Sequence, residues 1–145
     1  MPNLARILVR LIAALWCGAL WSIGALVAPT SFSLLDAADA AEVVSRLFRV
    51  LAISGLGGAV IMLILDRLAR GQALQGPGRR TVLLMAVGTG IGYFGVKTLM
   101  DYGRAMMAAG QAVPAWADPG LLHTASSVIY FLVALAALRL VAAVR

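Results

Sequence analysis

Arg49, Lys97, Asp101, His123, Ser127 and Tyr130 are the residues whose types could do chemistry in an otherwise apolar chain. Their spacing is helical. Glu42, Arg46 and Arg49 follow at steps of four and three, and Tyr93, Lys97, Asp101 and Arg104 do the same further on. His123, Ser126, Ser127 and Tyr130 form a third stripe. Residues three and four apart share a helix face, so three helices bringing these stripes to one level would build a polar pocket. Cations, a carboxylate, an imidazole and hydroxyls in such a pocket could hold a small ligand or an ion. The same residues also fit a structural layer that fixes helix packing. Glu42 with Arg46 and Lys97 with Asp101 are ordinary i,i+4 ion pairs, and His123 needs only a neighbouring carbonyl.

More specific chemistry has less to stand on. His123 is the one histidine, so a haem held by two histidines is excluded and a His/Met axial pair stays formally open. Met100, Met106 and Met107 are soft donors of the kind copper(I) takes, but their spacing is irregular. There is no nucleophile–base pair, glycine-rich phosphate loop or zinc-ligand spacing. Cys17 is the single cysteine; it excludes an internal disulfide and reads as a small packing residue within a helix. No enzyme activity, metal or cofactor is therefore expected.

The polar residues must be carried by long apolar elements. Of the 145 residues, 62% are hydrophobic and 12% are charged, where soluble domains have about 25% charged residues. A membrane-spanning helix needs about 20 mainly apolar residues. Four stretches qualify, with spans expected over roughly 7–28, 43–65, 81–103 and 119–142, as one all-α four-helix bundle. Pro29 is expected to break the first helix, because it forces Ala28 toward extended geometry. Asp36 should cap the second helix near Ala37, and Asp118 followed by Pro119 should open the fourth. The stretch "DRLARGQALQGPGRR" reads as a loop with glycine and proline turn signals, and "AAGQAVPAWADPG" as another, with Trp116 an interfacial anchor. The apolar runs of the second and third spans, Val50–Leu65 and Thr81–Val96, stop early on the same side, at Arg49 and Lys97. Each is about 24 Å long at 1.5 Å per residue, against a hydrocarbon core of about 30 Å. These two cations must then snorkel or face a polar interior.

The net charge of +6 has no basic stripe interleaved with aromatics, so it does not point to nucleic acid. It encodes orientation. Arg6, Arg10, Arg67, Arg70, Arg79, Arg80, Arg139 and Arg145 fall on one face with Asp66. Arg46, Arg49, Lys97 and Arg104 fall on the other with Asp36, Asp39, Glu42, Asp101 and Asp118. The positive-inside rule then places both termini in the cytoplasm and the polar stripes in the outer leaflet of a bacterial inner membrane. Arg6 and Arg10 before the first run imitate a signal peptide, but the uncharged run is too long and lacks a small-x-small cleavage site, so it reads as a span. Small residues at Gly18 and Ser22, at Gly58, and at Gly88 and Gly92 are expected to let helices pack closely. Beyond the lipid bilayer, a homodimer or a larger membrane complex are the partners such a chain could have.

Three segments carry a family resemblance: "GALWSIGALVAPTSFSLL", "AAEVVSRLFRV" and "LLHTASSVIYFL". Through Pro29, Phe32, Leu47, Phe48, Leu122, His123 and Ser126 the chain resembles the bacterial domain-of-unknown-function 4149 proteins, relatives of transmembrane protein 205, over nearly its whole length. The usual aromatic-Gly-polar lead before the Leu-His pair is replaced by Pro119-Gly120-Leu121. The resemblance implies a four-helix integral membrane protein, makes Pro29 and His123 part of a family pattern, and supplies no catalytic residues.

The charge asymmetry generates the first prediction. Alkaline phosphatase fused at the C-terminal end of the chain should be inactive, and fused within residues 111–118 it should be active. The reverse pattern would invert the bundle and move the polar stripes to the cytoplasmic leaflet.

Overall fold

A main chain in hydrocarbon has no water to bond, so each segment must satisfy its own N–H and C=O groups, and helices do this. The structure, a computed structural model, describes residues 2–144. The first span is α1 (Pro2–Ser22), a π-helical turn (Ile23–Val27) and α2 (Ala28–Leu34). The second is α3 (Ala37–Leu68). The third is α4 (Gln75–Thr89), a second π-helical turn (Gly90–Gly95) and α5 (Val96–Ala108); the fourth is α6 (Pro119–Ala143). All four are long and apolar enough to cross a membrane, and there is no strand among the described residues. The protein is an all-α, multi-pass transmembrane four-helix bundle. Arg145, counted above with the basic face, lies outside the described residues.

The spans form a ring in which each packs on the next: α1 on α3, α3 on α4, α4 on α6, and α6 on α1. The contiguous core fills one half of this ring, from Val9, Ala13, Trp16 and Leu20 across Leu51, Ala59 and Met62 to Val82, Met85, Ala137 and Leu140. Leu15, Leu34, Val50 and Leu84 point outward and supply the lipid-facing surface. Glycines set the closest approaches. A Cβ on Gly88 would meet Val133 at 2.8 Å, one on Gly92 would meet Ile129 at 3.0 Å, and one on Gly58 would meet Ile12 at 3.1 Å. Gly55, not singled out from the sequence, lies under the Trp16 indole, and Gly103 lies against the Ala117 carbonyl; neither has room for a Cβ. Gly18 and Ser22 differ from expectation. Both are exposed, and nothing lies within 4 Å of a Cβ on Gly18. The face of α1 that packs carries Ala13, Trp16, Cys17 and Leu20 instead.

Three local expectations need correction. Pro29 does not break the first helix, which runs on to Leu34. In regular α geometry its ring would collide with the carbonyl four residues back, and its missing N–H would leave a carbonyl unserved. The wider π turn directly upstream, in which Ala28 N–H reaches back to the Ile23 carbonyl, absorbs both defects. Asp36 stands at the N-terminus of α3 without bonding through its side chain, whereas Asp118 caps α6 by accepting the Leu121 N–H at 2.8 Å. The arginine-rich loop is also shorter than it reads: Gly76, Pro77 and Gly78 belong to α4, where Pro77 occupies the first turn and needs no donor.

That short connection is tied by Asp66, 1% exposed at the end of α3. Its Oδ1 accepts the main-chain N–H of Ala73 and Leu74, at 3.2 and 2.9 Å. Its Oδ2 accepts Nε and Nη2 of Arg79, at 3.0 and 2.6 Å. These bonds hold Arg70, Gly71 and Gln75 at positive φ, a conformation costly for the two non-glycine residues. Asp66→Ala leaves two buried N–H groups without acceptors and should lower stability in detergent by about 3 kcal/mol. Leu84→Ala, on the lipid face, should shift the melting temperature far less. Matching melting temperatures for the two variants would show that Asp66 does not hold the α3–α4 connection.

Candidate functional site

Both π turns sit at one level of the bundle, on either side of α6. Gly24 of the first lies against the Tyr130 ring, where a Cβ would meet Cε1 at 2.7 Å, and Gly92 of the second lies against Ile129. Each is followed by a hydroxyl that bonds back to a carbonyl of the turn, Ser31 to Val27 at 2.8 Å and Thr98 to Phe94 at 2.7 Å. Such back-bonding bends helices, and π turns redirect them. Below this level all four spans form the closed ring. Above it the ring opens: α2 stays with α3, α5 stays with α6, and among the described residues no close backbone approach joins one pair to the other. Each pair has its own small buried patch, Ala40 and Val44 in one, Val96, Gly103 and Leu122 in the other.

Aromatic contacts close the interior just beneath the opening. The Tyr130 hydroxyl donates to the Leu20 carbonyl at the edge of the shifted ladder of the first π turn. The Tyr130 ring meets Phe48 edge-on with centroids 5.0 Å apart, joining α6 to α3. Trp21 donates its indole N–H to the Ala134 carbonyl at 3.2 Å and packs edge-on against Phe131.

Between the N-terminal half of α3 and the second π turn with α5, the divergence leaves an open groove of about 350 Å³. Ser45, Arg46, Arg49, Tyr93, Phe94, Lys97, Thr98 and Asp101 line it. Three of the six residues singled out from the sequence, Arg49, Lys97 and Asp101, thus share one site. The other three do not line it. Tyr130 is turned into the bundle as the strut just described. His123 is exposed on α6, and its contribution to the local bonding is its main-chain carbonyl, which accepts the hydroxyls of Ser126 and Ser127 at 2.9 Å each. Ser127 is spent on that bond.

The charged residues do not tie helices together at this level. Glu42–Arg46 is an exposed pair within α3, and Lys97–Asp101, at 2.8 Å, lies within α5, with Arg104 a further 3.8 Å contact to Asp101. The one ion pair between helices among the described residues is Asp66–Arg79, at the opposite end of the bundle. Arg49 forms no ion pair or hydrogen bond among the described residues and adds its charge to the groove unopposed. Ser45 and Thr98 on the groove walls are not among the residues the sequence singles out, although each stands at helical spacing from a charged one that is, Ser45 four before Arg49 and Thr98 three before Asp101. What the groove can do is hold an anionic group beside an aromatic wall.

Tyr130→Phe keeps the ring and loses the bond to Leu20, so it should cost about 1 kcal/mol. His123→Asn, at an exposed side chain, should stay within about 0.5 kcal/mol of the parent. Thermal unfolding in detergent measures both, and a larger loss for His123→Asn than for Tyr130→Phe would overturn this assignment of strut and bystander.

No curated protein and no solved structure matches the chain. One family does: the domain of unknown function DUF4149 matches residues 11–112. The matched stretch holds both π turns, Pro29 and every residue of the groove, and it ends before the Leu122-His123 pair of α6. It covers well over half of the sequence, and the chain belongs to the DUF4149 family.

Proposed function

We propose that this protein is a non-enzymatic component of the bacterial inner membrane, oriented with both ends of the bundle's chain toward the cytoplasm, that holds a small ligand in its outer groove. It acts as a binding module, alone or as an accessory subunit of a larger membrane complex. The opening of the ring above the π turns carries this reading. Helices in lipid gain most from close packing, and here two glycine-containing π turns lead two helix pairs away from each other at the level where their charged stripes begin. A fold stabilised only as a bundle has no use for that gap, whereas a binding site requires it. The groove supplies cations, hydroxyls and an aromatic wall without a nucleophile–base pair, which suits retention of a ligand and not its conversion. For a metal-ion carrier the supporting geometry is thinner, since no three His, Cys, Asp or Glu side chains are grouped to hold an ion among the described residues; a solute carrier using the same groove is the second reading.

Ser45→Trp places an indole in the groove from an exposed position on α3. Native mass spectrometry of the protein extracted from its own membranes should show a bound small molecule on the parent that is absent from Ser45→Trp, with melting temperatures unchanged. An identical bound population on both proteins, or none on the parent, would refute ligand binding in the groove.

A further inference from the structure

We infer that the ligand of the groove is the phosphate-bearing headgroup of an anionic membrane lipid, entering sideways from the outer leaflet; this rests on the binding role proposed above. Three observations lead there. The first is charge. Arg46, Arg49 and Lys97 line the groove beside a single carboxylate, Asp101, which Lys97 and Arg104 already engage. Glu42 is engaged by Arg46, and with Asp39 it lies in a separate depression on the far side of Arg46. The cation left over is a guanidinium, whose fork matches two phosphate oxygens.

The second observation is where the groove opens. It is open between two spans, Phe94, 47% exposed, forms part of one wall, and Val50, 65% exposed, adds apolar surface on α3 next to Arg49 in sequence. A ligand with its anion at Arg49 can thus leave its chains in the hydrocarbon. A water-soluble anion would meet those apolar flanks with nothing to offer them. The third is depth. Arg49 and Lys97 stand where the apolar runs of their spans end, short of the edge of the hydrocarbon core, from where their long side chains can snorkel toward lipid phosphates. Cations near that boundary are poorly hydrated and gain from a fixed anionic partner.

Phosphate oxygens would bridge Arg49 and Lys97, while Ser45, Thr98 and the Tyr93 hydroxyl are the donors available to the rest of the headgroup. Lys97 would then be shared between the phosphate and Asp101. Because Arg49 has no other partner among the described residues, its removal should weaken lipid binding without disturbing the bundle.

The test titrates delipidated protein in neutral detergent with phosphatidylglycerol, with diacylglycerol carrying the same chains, and with inorganic phosphate, using native mass spectrometry to count bound species. Phosphatidylglycerol should bind, diacylglycerol should not, and inorganic phosphate should neither bind detectably nor displace the lipid at equal concentration. Arg49→Gln should weaken phosphatidylglycerol binding about tenfold, the scale of one charge-assisted hydrogen bond, and Arg49→Lys should recover part of it, both with the parent's melting temperature. Equal binding of phosphatidylglycerol and diacylglycerol, or an unaffected Arg49→Gln, would overturn the phosphate assignment. Tight binding of inorganic phosphate that displaces the lipid would overturn the lipid source. If Ser45→Trp still removes a bound molecule in either event, the groove remains a binding site and only its ligand class is wrong; if Ser45→Trp removes nothing, the binding role itself fails.

Discussion

Main-chain hydrogen bonding in a solvent without water is the constraint on which the rest of this structure depends. A proline in the first span and a glycine-rich stretch in the third each disturb an α ladder, and the bilayer allows neither to unravel. The disturbance is absorbed as a π turn, and the helix continues. A π turn changes the direction of the helix beyond it, and here two of them flank α6 at Ile129 and Tyr130. The ring of four spans is closed on one side of that level and divided into two pairs on the other. Groove, strut and exposed charge stripes are all consequences of that one division.

The interior responds to the same geometry. Where the ring is closed, glycines bring backbones together and aliphatic side chains fill the space, as with Gly88 on Val133 and Gly58 on Ile12. Where it opens, aromatic residues take over, because only long, rigid side chains reach across the widening gap. Tyr130 does this twice over, meeting Phe48 edge-on and donating to the Leu20 carbonyl of α1. Polar chemistry is likewise divided between two ends. At one end Asp66 is buried and fully bonded, organising a tight connection. At the other the pairs are exposed, lie within single helices, and hold nothing together.

Much of this is legible from composition and periodicity. Four uncharged runs, short connections and an Asp-Pro helix start require a four-span bundle, and helical spacing alone brings Arg49, Lys97 and Asp101 to one level. What periodicity does not convey is which face turns inward. Small residues four apart mark one face of α1, but the face carrying Trp16 and Leu20 is the one that packs, so Gly18 and Ser22 point to lipid. His123 stands out in the sequence by its rarity and its height, yet its azimuth on α6 takes it away from the groove. Asp66 does not stand out at all, because a lone acid among arginines reads as solvated surface. Its two main-chain partners, at Ala73 and Leu74, are not side chains that a sequence pattern can advertise. The rule that a proline such as Pro29 ends a helix holds in water, where a freed carbonyl finds a solvent partner; in hydrocarbon the helix must carry on.

The placement of the three tryptophans has an optical consequence. Trp16 is buried against Gly55 with no acceptor for its indole N–H, Trp21 donates to a carbonyl beside the aromatic strut, and Trp116 lies exposed, stacked on Tyr102 outside the fourth span. An indole in an apolar, unbonded setting emits at shorter wavelength than one in contact with water. The protein therefore carries three intrinsic fluorophores at three depths: one reporting the closed half of the ring, one the level at which it divides, and one the aqueous rim. Events at the exposed rim can be told from events in the buried interior by colour without attaching a label.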